Sequence, residues 1–91
     1  MASFKTCIQY IRSDRASQVY IRVTHNKKVG YIPTGKYVLK EFVKKNKEIK
    51  DPYILSYCSN LIMDYIQLLN SQDYTNWEIH EVINYLKTQK D

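Results

Sequence analysis

The most regular pattern in the chain is the alternation of apolar and polar residues from Gln18 to His25. Successive side chains of a β-strand point to opposite faces of the sheet, so this segment predicts a strand with one apolar and one polar face. The apolar face holds Val19, Ile21 and Val23, and the polar face holds Tyr20, Arg22 and Thr24.

Two neighbouring segments predict further strands. Phe4 to Arg12 is rich in β-branched and aromatic residues, and Lys28 to Thr34 is a shorter run of the same kind. Pro33 has no N–H and belongs at a strand end or on a sheet edge. Residues 13–17 have the composition of a turn, and Asn26-Lys27 suits a tight hairpin in which Asn takes positive φ. With Gly35 closing the meander, we expect a three-stranded antiparallel sheet over residues 4–34.

The second half of the chain predicts two helices. Residues 35–50 read as a loop with a few apolar anchors, after which Asp51 and Pro52 form a good N-cap and first helical position. The helix over 52–70 has an apolar face broad enough to contact the sheet on one side and another helix on the other. Thr75 and Glu78 have the spacing of a capping box, which predicts a second helix from Thr75 in which Trp77 anchors the helix to the domain.

These elements give an α+β fold of one domain, with the sheet packed on the long helix. A three-stranded sheet open to water on both faces is marginal, so we expect a helix to cover its apolar face. The face with Tyr20, Arg22 and Thr24 then stays free.

Charge divides the chain into two unlike halves. Residues 1–50 hold twelve Lys or Arg against three acidic residues, and residues 51–91 hold two against six. A basic half on a folded unit indicates a polyanionic partner such as nucleic acid, although many soluble proteins with no such partner are equally basic.

Motifs for catalysis and for metal or cofactor binding are missing from the sequence. It has no phosphate-binding Gly-rich loop, since Gly30 and Gly35 are its only glycines, and no nucleophile elbow or metal-ligand spacing around His25 or His80. We therefore expect neither an enzyme nor a cofactor. Cys7 and Cys58 are interpreted as buried thiols in a reducing compartment, although their spacing leaves a disulfide open. The lack of a long apolar run favours a cytoplasmic location.

The polar sheet face is the candidate binding site, with basic residues before and after it. A sheet fits the major groove of B-DNA, where Arg hydrogen-bonds guanine or phosphate and Tyr and Thr contact phosphate or a thymine methyl. The alternative is a face charged for solubility. His25 and the lysines of residues 40–50 are each interpreted as exposed to solvent, with phosphate contact as the other possibility. The candidate DNA-binding residues are Arg12, Arg15, Tyr20, Arg22, Thr24, Lys27, Lys28, Tyr31 and Lys36.

Three segments resemble the N-terminal arm-type DNA-binding domain of tyrosine recombinases, the integrases of phages and conjugative transposons. They are Val19 to Thr24, the turn at Asn26-Lys27-Lys28, and Pro33 to Val38. The resemblance implies an arm-binding domain over residues 1–73 and the start of a core-binding domain over residues 74–91. It also implies a bacterial protein of a mobile genetic element, with double-stranded DNA and other recombinase subunits or domains as partners in DNA integration and recombination.

In that family the sheet lies in the major groove. Carried over by position, Tyr20, Arg22 and Thr24 face the DNA, and Lys27, Lys28 and Lys36 contact its backbone. The chain departs from the family in its first turn, which lacks Gly, and in lacking the recombinase catalytic set. It is therefore expected to be an excised domain or a truncated relative that does not itself recombine DNA.

Two other functions remain open at this point. The helices, above all the one predicted from Thr75, would serve a protein-interaction module that docks on a partner. Binding of unpaired RNA is the weaker alternative, because the sheet lacks paired exposed aromatics for base stacking.

Overall fold

The computed structural model describes residues 2–9 and 16–89. Its strands are β1 (Ser3–Cys7), β2 (Ser17–His25) and β3 (Lys28–Val38), and its helices are α1 (Pro52–Asn70) and α2 (Ile79–Thr88), with one 3₁₀ turn at Lys40–Phe42. The strands form one antiparallel sheet in the order β1-β2-β3. The predicted α+β fold, with a three-stranded meander and two helices, is confirmed.

The strand predicted from Phe4 to Arg12 is shorter in the structure, because β1 already ends at Cys7. Its last part, with Arg12, and the following turn, with Arg15, lie outside the described residues. The tight hairpin between β2 and β3 is confirmed. Asn26 and Lys27 have φ values of 51° and 67°, the left-handed pair that a type I′ turn requires.

Strand β3 runs past the point where the sequence predicted its end. Gly35, with a φ of 76°, lies inside the strand and does not close it. The Thr34 hydroxyl donates to the Val19 carbonyl (2.8 Å) and accepts from the Lys36 N–H (3.1 Å), which holds the irregular backbone in place. Pairing with β2 then resumes up to Val38. The predicted loop over 35–50 was therefore wrong for its first residues, while Pro33 does lie on an edge strand, as expected.

Helix α1 has the predicted bounds and the predicted cap. The Asp51 carboxylate accepts from the N–H groups of Tyr53 (2.9 Å) and Ile54 (3.4 Å), which satisfies two of the amides left unpaired at a helix start. One stripe of the helix is buried, with Ile54, Cys58, Leu61, Tyr65 and Leu69. Helix α2 meets α1 near Leu68, whose carbonyl accepts from the Tyr85 hydroxyl (3.4 Å).

Helix α2 starts later than predicted. Thr75 is not its N-cap, because the Thr75 hydroxyl donates to the Asp73 carboxylate (2.9 Å). The N-cap is Glu78, whose N–H donates to the Glu81 carboxylate (2.8 Å). The predicted capping box formed by Thr75 and Glu78 was therefore wrong. Trp77 precedes the helix and packs its ring at 5.4 Å from that of Tyr85.

Both helices cover the same face of the sheet. Val19, Ile21 and Val23 are completely buried there. Val82 and Leu86 of α2 belong to this core as fully as the buried stripe of α1 does. Within the described part of the chain, α2 therefore completes the core of the sheet, and the division at residue 73 stays a prediction from the resemblance.

Candidate nucleic-acid interface

The sheet face turned away from the helices is defined by the pairing register. Residues that pair across antiparallel strands point to the same side, and Arg22 pairs with Lys5 on β1 and with Tyr31 on β3. The pairs two residues away in either direction point to the same side, because successive side chains of a strand alternate. The outer face thus includes Ser3, Lys5, Cys7, Gln18, Tyr20, Arg22, Thr24, Val29, Tyr31, Pro33 and Tyr37.

The central row of the outer face is exposed and basic. Lys5 and Arg22 are both exposed, and Tyr31 is 41% exposed beside them. The Tyr20 ring meets the Tyr31 ring edge to face at 6.2 Å, an arrangement that aromatic pairs prefer. Two cations therefore lie next to a pair of tyrosines on a rigid strand framework, and the expectation that the sheet lacks paired exposed aromatics was wrong.

The charge of Lys5 and Arg22 acts on a neighbouring thiol. Burial raises the pKa of Cys7, and the nearby positive charges of Arg22 and Lys5 oppose that rise. Cys7 is only half-buried, unlike the buried thiol predicted, whereas Cys58 is fully buried, and both thiols are free.

Among the residues that the structure describes, none in the sheet is acidic. The three strands hold Lys5, Arg22, Lys28 and Lys36 but no Asp or Glu. Helix α1 holds Asp64 and no basic residue, and α2 is preceded by Glu78 and holds Glu81 and Lys87. The charge asymmetry of the sequence is thus kept in part by the layers of the fold, while five further lysines of the basic half lie in the segment between β3 and α1.

The hairpin tip at one end of the outer face is tied to the turn between the helices. The side-chain amide of Asn26 donates to the Thr75 carbonyl (3.1 Å), and the Nε2 of His25 lies 3.1 Å from the Tyr74 carbonyl. His25 is 1% exposed, so the expectation of a solvent-exposed or phosphate-contacting histidine was wrong. These contacts fix the backbone that carries Lys27 and Lys28.

The predicted site residues do not all come together. Tyr20, Arg22, Thr24 and Tyr31 share the outer face, and Lys27 is exposed in the turn at its end. Lys28 is exposed too, but it pairs with the buried His25 and so lies on the helix side of the hairpin end. Lys36 lies on the helix side, where its ammonium is 4.7 Å from the centre of the Tyr57 ring. Arg12 and Arg15 lie outside the described residues.

Lys5 is a member of the face that the sequence reading missed. The segment Phe4 to Cys7 does not alternate cleanly, so it gives no indication of which side faces the core. What places Lys5 on the outer face is its pairing with Arg22 in the antiparallel register of β1 and β2.

Other kinds of site are poorly supported in the described residues. They contain no group of three His, Cys, Asp or Glu side chains that could hold a metal ion, and no helix long and apolar enough to cross a membrane. A cavity of about 270 Å³ between β3 and the helices is lined by Ile32, Pro33, Thr34, Tyr57, Leu61, Tyr65 and Lys87.

Comparison with known proteins gives no independent identification. No protein-family model, curated protein or solved structure matches this chain.

Proposed function

We propose that this protein binds duplex DNA through the outer face of its sheet, as the non-catalytic N-terminal part of a site-specific recombinase. The observation that carries the DNA-binding proposal is the row of Lys5, Arg22 and Tyr31 at the centre of a sheet with no acidic residue. Phosphate contacts from Lys and Arg supply most of the sequence-independent affinity for DNA. The recombinase context rests on the resemblance alone.

The dimensions of the sheet support the proposal. Neighbouring strands lie about 4.7–4.9 Å apart, so three strands span roughly 10 Å between their outer backbones. The major groove of B-DNA is about 12 Å wide and admits β-structure. Because both helices lie on the opposite face, neither of them would collide with DNA seated on the outer face.

The side chains of the outer face have complementary roles in this proposal. Arg22, at the centre, presents the planar fork that bonds guanine O6 and N7. Tyr20, Thr24 and Tyr31 donate to phosphate or pack on a thymine methyl, and Lys5 supplies charge beside Arg22. Lys27 contacts the backbone at the hairpin end, where Lys28, paired with buried His25, adds positive charge from the helix side. The described geometry offers less support for Lys36, whose ammonium is engaged by a tyrosine ring on the helix side.

Alanine substitutions on the two layers of the fold test this proposal. Arg22→Ala should weaken binding to a preferred duplex by about 1–3 kcal/mol, roughly 5- to 150-fold, because one bidentate base contact is lost. Lys5→Ala should weaken all duplexes alike. Lys87→Ala, at an exposed position of α2, is the matched control and should leave affinity unchanged. The measurement is duplex titration at fixed salt, with thermal melting to show that all three variants are equally stable.

Two results would separate the alternatives. If Arg22→Ala weakens every sequence equally, Arg22 contacts phosphate and does not read a base. If Lys87→Ala weakens binding as much as Arg22→Ala does, the outer face is not the DNA site.

A protein-interaction module is the second candidate, favoured by the apolar residues on the solvent side of α1. Leu55, Met63 and Ile66 are exposed there, Met63 by 60%. If this is the working surface, Met63→Glu should abolish partner binding while Arg22→Ala leaves it intact. Pull-down with both variants measures the difference.

A further inference from the structure

The lysine-rich segment between β3 and α1 forms a hairpin at the far end of the sheet from Lys27 and Lys28. The pair Ser17 and Val38 closes that end, opposite the pair His25 and Lys28. Residues 43–49, here called the lysine hairpin, follow shortly after Val38. The Lys47 ammonium donates to the Gln9 carbonyl (2.8 Å), so the hairpin also reaches the end of the sheet at which β1 stops.

The lysine hairpin is an ordered structure and not a solvated loop. Val43 bridges to Ile49, which is buried in the core. The Lys44 N–H donates to the Glu48 carbonyl (2.8 Å), and the Lys47 N–H donates to the Lys44 carbonyl (2.9 Å). Lys47 follows the turn at Lys45 and Asn46 and has a left-handed φ of 70°, the conformation that commonly ends a three-residue hairpin loop. The backbone that carries the lysines therefore loses little conformational freedom on binding.

The segment has an excess of positive charge directed to solvent. Residues 40–50 hold five lysines against Glu41 and Glu48. Lys44 pairs with Glu48 at 3.6 Å, and the Lys47 ammonium is engaged by Gln9. Within the described residues, Lys40, Lys45 and Lys50 are exposed and make no ion pair. Lys45 lies at the hairpin tip.

We propose that the lysine hairpin, with Lys40 and Lys50 beside it, is a second phosphate-binding element that holds the DNA backbone at the opposite end of the sheet from Lys27 and Lys28. This inference rests on the proposed function. The nine residues of β2 separate the two ends by about 26 Å at 3.3 Å per residue. Two basic ends would fix the position of the duplex along the sheet, and the outer face between them would read the bases.

The test compares the salt dependence of binding in variants that keep the fold. Each phosphate contact contributes about 0.9 to the slope of log K against log salt. Replacing Lys40, Lys45 and Lys50 together by Gln should lower the slope by about 2–3 and shorten the cleavage-protection footprint on a 16-base-pair duplex at one end. Lys27→Gln with Lys28→Gln should shorten it at the other end. Lys87→Gln is the control and should change neither quantity.

The outcomes distinguish this inference from the function on which it rests. If the wild type binds duplex and the triple variant keeps its slope and footprint, the lysine hairpin is only a solvated surface and the outer face alone binds. If the wild type shows no duplex affinity at low salt, both proposals fail. The single variant Lys45→Gln, which should lower the slope by about 0.9, repeats the test should the triple variant prove unstable in thermal melting.

Discussion

Lys27 occupies a backbone position that favours glycine. Its φ of 67° lies in the left-handed region, which costs an L-residue about 1 kcal/mol or more. Asn-Gly is the preferred pair for this turn, yet the chain has Lys at the second position. A lysine at this unfavourable position, next to the basic face, is what we expect if its side chain contacts DNA.

We expect Lys27→Gly to raise stability and lower affinity together. The free energy of unfolding should rise by about 0.5–1 kcal/mol because the turn relaxes, while the loss of one phosphate contact should reduce the salt slope by about 0.9. Chemical denaturation and duplex titration measure the two effects. Lys27→Gln is the control, with the same loss of affinity and no gain in stability. Unchanged affinity in both variants would show that Lys27 makes no DNA contact.

At this scale the sequence predicts a residue's face only where the alternation is strict. Tyr20, Arg22 and Thr24 follow directly from the pattern of β2. The face on which Lys5 lies is known only from the strand register. The face on which Lys36 lies is known only once β3 is seen to continue past Gly35. His25 continues the apolar side of β2 and is buried, although its polarity suggested a surface residue.

At the scale of elements, the approach of α2 to the sheet depends on Gly30. Gly30 pairs with Val23 on the helix-facing side. A Cβ built there would collide with the δ-methyl of Ile83 and lie 3.2 Å from the Cγ1 of Ile79. The absence of a side chain at residue 30 is what allows α2 to pack this closely.

Gly30→Ala should therefore destabilise the protein by about 1–3 kcal/mol, the usual cost of overpacking. Ile83→Val removes the obstructing methyl, so the same substitution should cost less in that background, with a coupling energy of at least about 0.5 kcal/mol. Denaturant unfolding of the wild type, the two single variants and the double variant gives this value. Met63→Val, which trims an exposed side chain on α1, should show no coupling to Gly30→Ala. Equal costs of Gly30→Ala with and without the Ile83→Val substitution would contradict this packing account.

The elements differ in how far sequence alone predicts them. Helix α1 was predicted to the residue because its cap, its proline and its periodicity all agree. The predicted start of α2 was wrong because two other carboxylates accept hydrogen bonds in this turn. The Asp73 carboxylate accepts from the Thr75 hydroxyl, and the Glu81 carboxylate accepts from the Glu78 N–H. Tertiary contacts from Asn26 to Thr75 then hold that turn outside the helix. Such contacts connect residues far apart in the chain and leave no local pattern.

At the scale of the whole molecule, charge and structure are divided in the same way. The sheet layer is basic and its outer face is open, while the helix layer carries Asp64, Glu78 and Glu81 against Lys87. Such a distribution orients the molecule in the field of a polyanion before contact is made. Solvent-exposed charges are screened beyond about 8 Å at physiological ionic strength, so both affinity and orientation should weaken as salt is added.

The most direct test of the central claim is an NMR titration of the ¹⁵N-labelled chain with a mixed-sequence 16-base-pair duplex at low and moderate salt. The account predicts shifts concentrated in β1, at Tyr20 to Thr24 and from Lys27 to Tyr31, which weaken as salt rises while the amides of α1 remain unmoved. No shifts at low salt, or shifts confined to α1 and α2, would contradict it and leave the protein-interaction module as the better account.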